Sequence, residues 1–329
     1  MADNIIFSIN AVFPLVILIL LGFILKQKKL RLFKEPKNFF DQIDRLVFNV
    51  ALPVYIFNDI YSAKIENIFN IKLVIFCVSG IVISFFLLIL LTPLFIKNKA
   101  SRGAFIQGVY RSNFAILGVP LAGNLFGDMG SSTAALILPF AIPLFNVLAV
   151  TILTVNSNNS DNTANAQNPK SQNNVRKIVL GIIKNPLIIS IILALPFVLF
   201  KIALPAVIEK SVNYVSNTST PLALISLGAG IDLQVLKSKV RLSLIAAVFR
   251  TMICPLLFVV SAVLFGFRDA ALVTVFVLFA APTAVSSYIM AKNMNSDYEL
   301  AGQIVVLTTL ICPLTVFIGS LILKSFGLI

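Results

Sequence analysis

Two prolines, Pro120 and Pro282, stand inside apolar runs and are flanked by small and polar residues. The first run reads Tyr110-Arg111-Ser112-Asn113-Phe114-Ala115-Ile116-Leu117-Gly118-Val119-Pro120-Leu121, and the second Ala280-Ala281-Pro282-Thr283-Ala284-Val285-Ser286-Ser287-Tyr288. Proline lacks a backbone donor and its ring clashes with the preceding turn, so a helix at either place is predicted to break near its middle. The half-helix after each proline then offers free N–H groups and the positive end of its dipole, which suits an anion. Gly118, Val119, Pro120 and Leu121, with Ala281, Pro282, Thr283 and Ser286, are the candidate cradle. Gly118, Ala281 and Thr283 are small enough to let a ligand reach the backbone. An ordinary kink is the alternative reading of either proline taken alone.

Three polar side chains within apolar runs call for the same weighing. Arg111 and Arg250 each lie about eight or nine residues from a run's end, roughly 12–14 Å deep at 1.5 Å per residue. A charge at such depth costs about 2.5–3.5 kcal/mol on insertion scales, so each needs a reason. Either it attracts an anionic substrate or it pairs with carbonyls freed by a broken helix. Asn113 has the chemistry to bind a carboxylate or to join helices. Asp41 and Arg45, at i,i+4 spacing near one end of a run, are predicted to form a local salt bridge. Few groups read as buried proton carriers.

The elements that must position these residues are membrane spans. The chain has 329 residues, 58% hydrophobic and 12% charged. Its apolar runs lie near 5–26, 43–61, 71–96, 103–126, 131–155, 178–201, 207–231, 241–266, 269–292 and 299–324. A spanning helix takes roughly 20 residues, so the expectation is an all-α polytopic protein with ten transmembrane helices. Histidine is absent, which removes Ser-His catalysis, zincin motifs and histidine-ligated metals. The three cysteines, each within an apolar run, read as buried reduced thiols. No enzyme and no cofactor is expected.

The net charge of +13 is read as a topology signal and not as a nucleic-acid surface. Of the 26 basic residues, 17 fall in the odd-numbered connections, six in the even connections or beyond the last run, and Arg45, Arg111 and Arg250 lie within runs. That split places the odd connections in the cytoplasm and both termini outside the cell membrane. An Asn- and Ser-rich segment divides the chain into a first five-helix unit at 1–155, a cytoplasmic linker at 156–177 and a second unit at 178–329. Five is an odd number, so two homologous halves must be inverted relative to each other. Pro14, Pro53, Pro93, Pro120 and Pro143 are matched in order by Pro186, Pro221, Pro255, Pro282 and Pro313, one per span.

At these residues the chain resembles the auxin efflux carrier family, which includes plant PIN-type carriers and bacterial organic-acid permeases. Span 4 is similar to the family's Asn-x5-Gly/Ile/Val-Pro pattern, with Asn113, Gly118 and Pro120. Span 9 resembles its Pro-x-x-x-x-aromatic-x-x-Ala-Lys stretch, from Pro282 through Tyr288 to Ala291-Lys292. Asp44-Arg45-Leu46-Val47-Phe48-Asn49 before Leu52-Pro53, Lys184-Asn185-Pro186-Leu187, and Pro221 through Gly228 extend the likeness over nearly the whole chain. The resemblance implies inverted repeats with crossing broken helices, as in bile-acid-symporter-like folds. It also implies a scaffold of spans 1, 2, 6 and 7 and elevator-type alternating access, with Asn113 and the two prolines at the site. Thr283 stands where plant carriers often have glutamine, which favours a small carboxylate such as malate or malonate over an auxin-like acid. The implied partners are that organic anion and the lipid bilayer, with a homodimer left open. A channel or sensor without a transport cycle is the alternative, but neither a polar pore helix nor a soluble sensing domain is visible.

Overall fold

The computed structural model describes residues 14, 17–27, 33, 35–62, 70–157, 183–230 and 233–329, with side chains from 239 onward in the last segment. The start of the first predicted span, most basic residues of the first connection, linker residues 158–177 and the start of the sixth predicted span, 178–182, lie outside the described residues. Among the described residues every regular element is helical.

Helix α1 covers 17–25. Helix α2 runs through Pro36–Leu46, a π-helical turn Val47–Ala51, and Leu52–Tyr61. Helix α3 is Ile71–Leu91, closed by the 3₁₀ turn Thr92–Leu94, and α4 is Lys99–Tyr110. Helix α5 opens with a π turn Phe114–Gly118 and continues as Val119–Ala135, with Gly127 at φ 62° marking a bend that only glycine enters at no steric cost. Then come α6 (Leu138–Val155), α7 (Pro186–Leu199) and α8 (Ala206–Gly230). Helix α9 is Leu233–Val248, a π turn Phe249–Ile253, and Cys254–Leu264. The last three are α10 (Asp269–Ala280), α11 (Ser286–Asn293) and α12 (Tyr298–Ser325).

Local chemistry explains the starts. Asn70, Asn98, Asn185 and Asp297 each accept a hydrogen bond from a backbone N–H of the turn they open, which satisfies a donor the helix leaves free. The prolines explain the π turns. Pro53, Pro120 and Pro255 each sit second in an α segment that directly follows a π turn. A proline cannot bond the carbonyl four residues back, and the wider π turn makes room for its ring. The paired prolines do not repeat one another's geometry throughout: Pro221 lies in regular helix where its counterpart Pro53 follows a π turn, while Pro143 and Pro313 both sit inside helices.

Among the described residues four helices, at Ile71–Leu94, Leu138–Val155, Lys239–Leu264 and Tyr298–Ser325, are long and apolar enough to cross a membrane. Their outer faces are apolar too. Leu90, Leu94, Leu256, Leu264 and Leu314 are all at least 60% exposed, a band that water would not tolerate and lipid would. Helix α2 packs on α7 and α8; α3, α4, α6 and α9 to α12 pack among themselves, and α6 also meets α2 and α7. At the α1–α8 contact a Cβ on Gly22 would lie 1.8 Å from the Ile225 carbonyl oxygen, and one on Gly228 would lie 1.9 Å from that of Ile19. Two glycines thus let two backbones touch, as small residues do between membrane helices.

Candidate functional site at the crossing of two helix breaks

Among the described residues two buried helix breaks stand out, at 111–113 between α4 and α5 and at 281–285 between α10 and α11. The two breaks lie against each other. Ser112 and Thr283 form an antiparallel bridge, with the Asn113 N–H donating to the Pro282 carbonyl at 2.8 Å and the Ala284 N–H to the Arg111 carbonyl at 3.3 Å. Irregular backbone in an apolar setting survives only where protein or a cavity satisfies it. Here each break partly satisfies the other.

The carbonyls left over at the ends of α4 and α10 are met by side chains. Arg250, 1% exposed, donates through Nε to Ala281 at 2.8 Å and through Nη2 to Leu278 at 2.9 Å. Its Nη1 reaches Tyr110 at 3.1 Å and Val109 at 3.3 Å. The Thr283 hydroxyl donates to Gly108 and the Cys312 thiol to Ala280, while the Thr308 hydroxyl accepts from the Thr283 N–H. Arg250 therefore sits at the negative ends of two half-helices, where a cation belongs.

Arg111 is held otherwise. It is 4% exposed, and its guanidinium donates to the Asn146 amide oxygen at 2.7 Å and to the Met290 sulfur at 2.6 Å. Among the described residues no carboxylate pairs with it. Both partners are neutral, so the buried guanidinium has no carboxylate in direct contact with it. It faces a pocket of about 50 Å³ lined by the opening residues of α5 and α11, namely Asn113 to Ile116 and Val285 to Ser286. A helix leaves its first N–H groups without internal partners, so two positive dipole ends converge where Arg111 points. Tyr55 and Asp59 of α2, Asn146 of α6, and Ser219 and Thr220 of α8 complete the wall. Among the described residues six buried side-chain oxygens lack a hydrogen-bond partner, and three of them, on Asp59, Ser112 and Ser219, belong to this pocket. Orphaned buried polar atoms are rare in folded proteins, and their gathering here marks a place for a ligand.

The sequence-predicted residues divide. Asn113, Arg111 and Ser286 line the pocket. Gly118, Val119, Pro120 and Leu121 lie further along α5, and Ala281, Pro282 and Thr283 form the crossing behind it, so these seven do not line it. Arg250 holds carbonyls and does not line it either. The first break does not fall at Pro120 as expected. It falls at Arg111–Asn113, because the π turn Phe114–Gly118 absorbs the proline without interrupting the helix. Tyr55, Asp59, Asn146, Ser219 and Thr220 were not anticipated; the i,i+4 spacing of Tyr55 and Asp59 within a predicted span was the available signal.

A second charged cluster corrects another expectation. Asp41 pairs with Lys292 at 2.7 Å and not with Arg45. Lys292 also pairs with Asp44, which is 1% exposed and accepts from the Ser226 hydroxyl. The end of α11 reaches α2, so the lysine takes both carboxylates while Arg45 stays exposed. The Asn293 amide adds a bond to the Asp44 carbonyl at 3.3 Å. This latch ties α11 to α2 and α8 beside a wider cavity of about 770 Å³ lined by Lys26, Lys37, Asp41, Lys292 and Glu299.

A chain whose described elements are all helical, with a lipid-compatible surface and a polar pocket at two crossed helix breaks, is a membrane-embedded transporter. The chain belongs to the membrane transport protein family, the auxin efflux carriers, whose family model matches residues 7–319. It is 23% identical over 290 residues to an uncharacterized transporter of Methanocaldococcus jannaschii, covering 86% of this chain and 89% of that one. It is 22% identical over 318 residues to an uncharacterized transporter of Methanothermobacter thermautotrophicus, covering 96% and 98% respectively.

Proposed function

We propose that the protein moves a small organic anion, a carboxylate such as malate or malonate or an auxin-like acid, across the cell membrane. The observation that carries this reading is Arg111, a buried guanidinium with neutral partners, facing two helix N-termini and the Asn113 amide across one pocket. Asn113 makes no side-chain hydrogen bond within its own helix start and is free to meet a carboxylate. In this reading the breaks belong to a ten-span protein of two inverted five-helix repeats, 1–155 and 178–329, with both termini outside. Helices α1, α2, α7 and α8 act as the scaffold, and the remaining helices carry the crossing past them in an elevator-type cycle. The pocket lies between these two groups, with walls from α2 and α8 on one side and from the crossing on the other, which is where alternating access needs it. Its about 50 Å³ admits a carboxylate head, and the body of the anion enters as the two groups separate. The Asp44–Lys292 latch spans the same boundary, which favours a carrier with a closed gate over an open channel.

The test is flux in proteoliposomes with a panel of malate, malonate, acetate and indole-3-acetate. Saturable uptake of one or more of these, competed by the others, is expected. Saturable flux of a neutral or cationic solute alone, with every carboxylate inert, would overturn the reading.

A further inference from the structure

We propose that Asp59 is a proton-binding site within this pocket and takes up one proton for each monocarboxylate that binds. The inference rests on the anion reading above. Asp59 sits on α2, and its Oδ2 is buried with no hydrogen-bond partner. The groups facing it can be named element by element. On its own helix the Tyr55 hydroxyl is within hydrogen-bonding reach. Arg111 shares the pocket from the crossing; α6 contributes the neutral Asn146, and α8 the neutral Ser219 and Thr220. Glu209, Lys210 and Tyr214 of α8 are exposed. Helix α7, packed on the same stretch of α2, carries no titratable side chain in Pro186–Leu199. Among the described residues Asp59 and Arg111 are therefore the carboxylate and the guanidinium that line this one pocket.

Charge balance then fixes the coupling. With the pocket empty, ionised Asp59 and Arg111 sum to zero. A carboxylate entering beside Arg111 leaves one negative charge uncompensated among largely buried side chains, and a buried unpaired charge is strongly unfavourable. A proton moving from the aqueous side onto Asp59 Oδ2 restores neutrality; one O–H bond forms, nothing is oxidised or reduced, and the orphaned oxygen becomes a donor with the Ser219 hydroxyl among the pocket's acceptors. Anion and proton thus favour each other's binding, and by linkage the effect is mutual. The carrier loads both together or neither, so a proton gradient drives the anion. A sodium site fits less well, because one carboxylate and scattered hydroxyls fall short of the six or so oxygens a hard cation gathers.

The experiment is calorimetric titration of the purified protein in lipid nanodiscs with indole-3-acetate and with acetate. Each titration is repeated in buffers of different ionisation enthalpy from pH 6 to pH 9. Wild type should take up close to one proton per anion at its maximum, and the apparent Kd should rise up to tenfold per pH unit on the alkaline side. Asp59→Asn should bring the proton count near zero, and Asp59→Glu should restore it. Asp297→Asn, which removes a carboxylate paired with Lys239 outside the pocket and the latch, should leave the count unchanged. Anion heat with no proton uptake in wild type would overturn the proposal while sparing the anion reading. An undiminished count in Asp59→Asn, or binding that requires sodium, would overturn it too. Should Asp59→Asn fail to fold, a wild-type Kd that does not change with pH would be equally decisive against it. No heat from either acid would overturn this proposal, whereas the anion reading falls only if every carboxylate of the flux panel is inert.

Discussion

Arg111 and Arg250 bring the same charge to similar depth, yet their partners differ in kind. Arg250 spends its donors on four backbone carbonyls, whereas Arg111 rests on an amide oxygen and a thioether. Loss of Arg250 leaves several buried carbonyls unpaired, each worth about 1–3 kcal/mol. Arg250→Met should therefore destabilise the fold by at least about 3 kcal/mol, read as a lower unfolding temperature and a lower yield in detergent. Asn113→Ala should insert and fold, with substrate affinity falling roughly 10- to 100-fold for one lost charge-assisted hydrogen bond of about 1.5–3 kcal/mol. Wild-type affinity in that variant would remove Asn113 from the site. Both arginines were legible as buried charges in the sequence, but their division of labour was not, since it depends on which carbonyls the crossing brings near. Asp59 escaped notice because it stands two residues from the end of its apolar run, where a carboxylate normally reaches water. The fold instead turns it inward against α6 and α8.

Proline predicts strain in a helix but not where the strain is spent. At Pro282 the chain abandons helix altogether, and the freed groups find Thr308, Arg250 and the opposing strand-like residues. At Pro120, as at Pro53 and Pro255, a π turn ahead of the ring keeps the helix running. The first break was thus expected seven residues too late, although the two segments that cross were both legible from their composition. The α1–α8 contact belongs to this scale as well, because nothing in the spacing of Gly22 and Gly228 reveals that two helices meet there. Gly228→Val places branched carbon against the Ile19 carbonyl. Overpacking of this kind costs typically about 1–3 kcal/mol or more. Reduced thermal stability in detergent, without a change in substrate preference among the protein that remains folded, is the expected result. Unchanged stability would mean that α1 and α8 do not touch at these glycines.

For the whole molecule the lipid-facing character was plain from composition, since apolar blocks alternate with clusters of lysine and arginine. The grouping of helices was not visible there, because contacts such as α2 with α7 join residues far apart along the chain. The topology makes its own prediction. In a background free of Cys77, Cys254 and Cys312, Lys29→Cys and Asn165→Cys should react with an impermeant thiol reagent only from the cytoplasmic side. Reaction of both from outside would invert the orientation. The central claim is that an anion binds where the two breaks cross, and a structure of the protein in lipid with bromomalonate bound tests it most directly. The bromine and a carboxylate should lie in the pocket, in contact with Arg111, Asn113 and the start of α11 at Ser286. Density lodged elsewhere, for instance between α2 and α8 alone with the crossing left empty, would contradict the account.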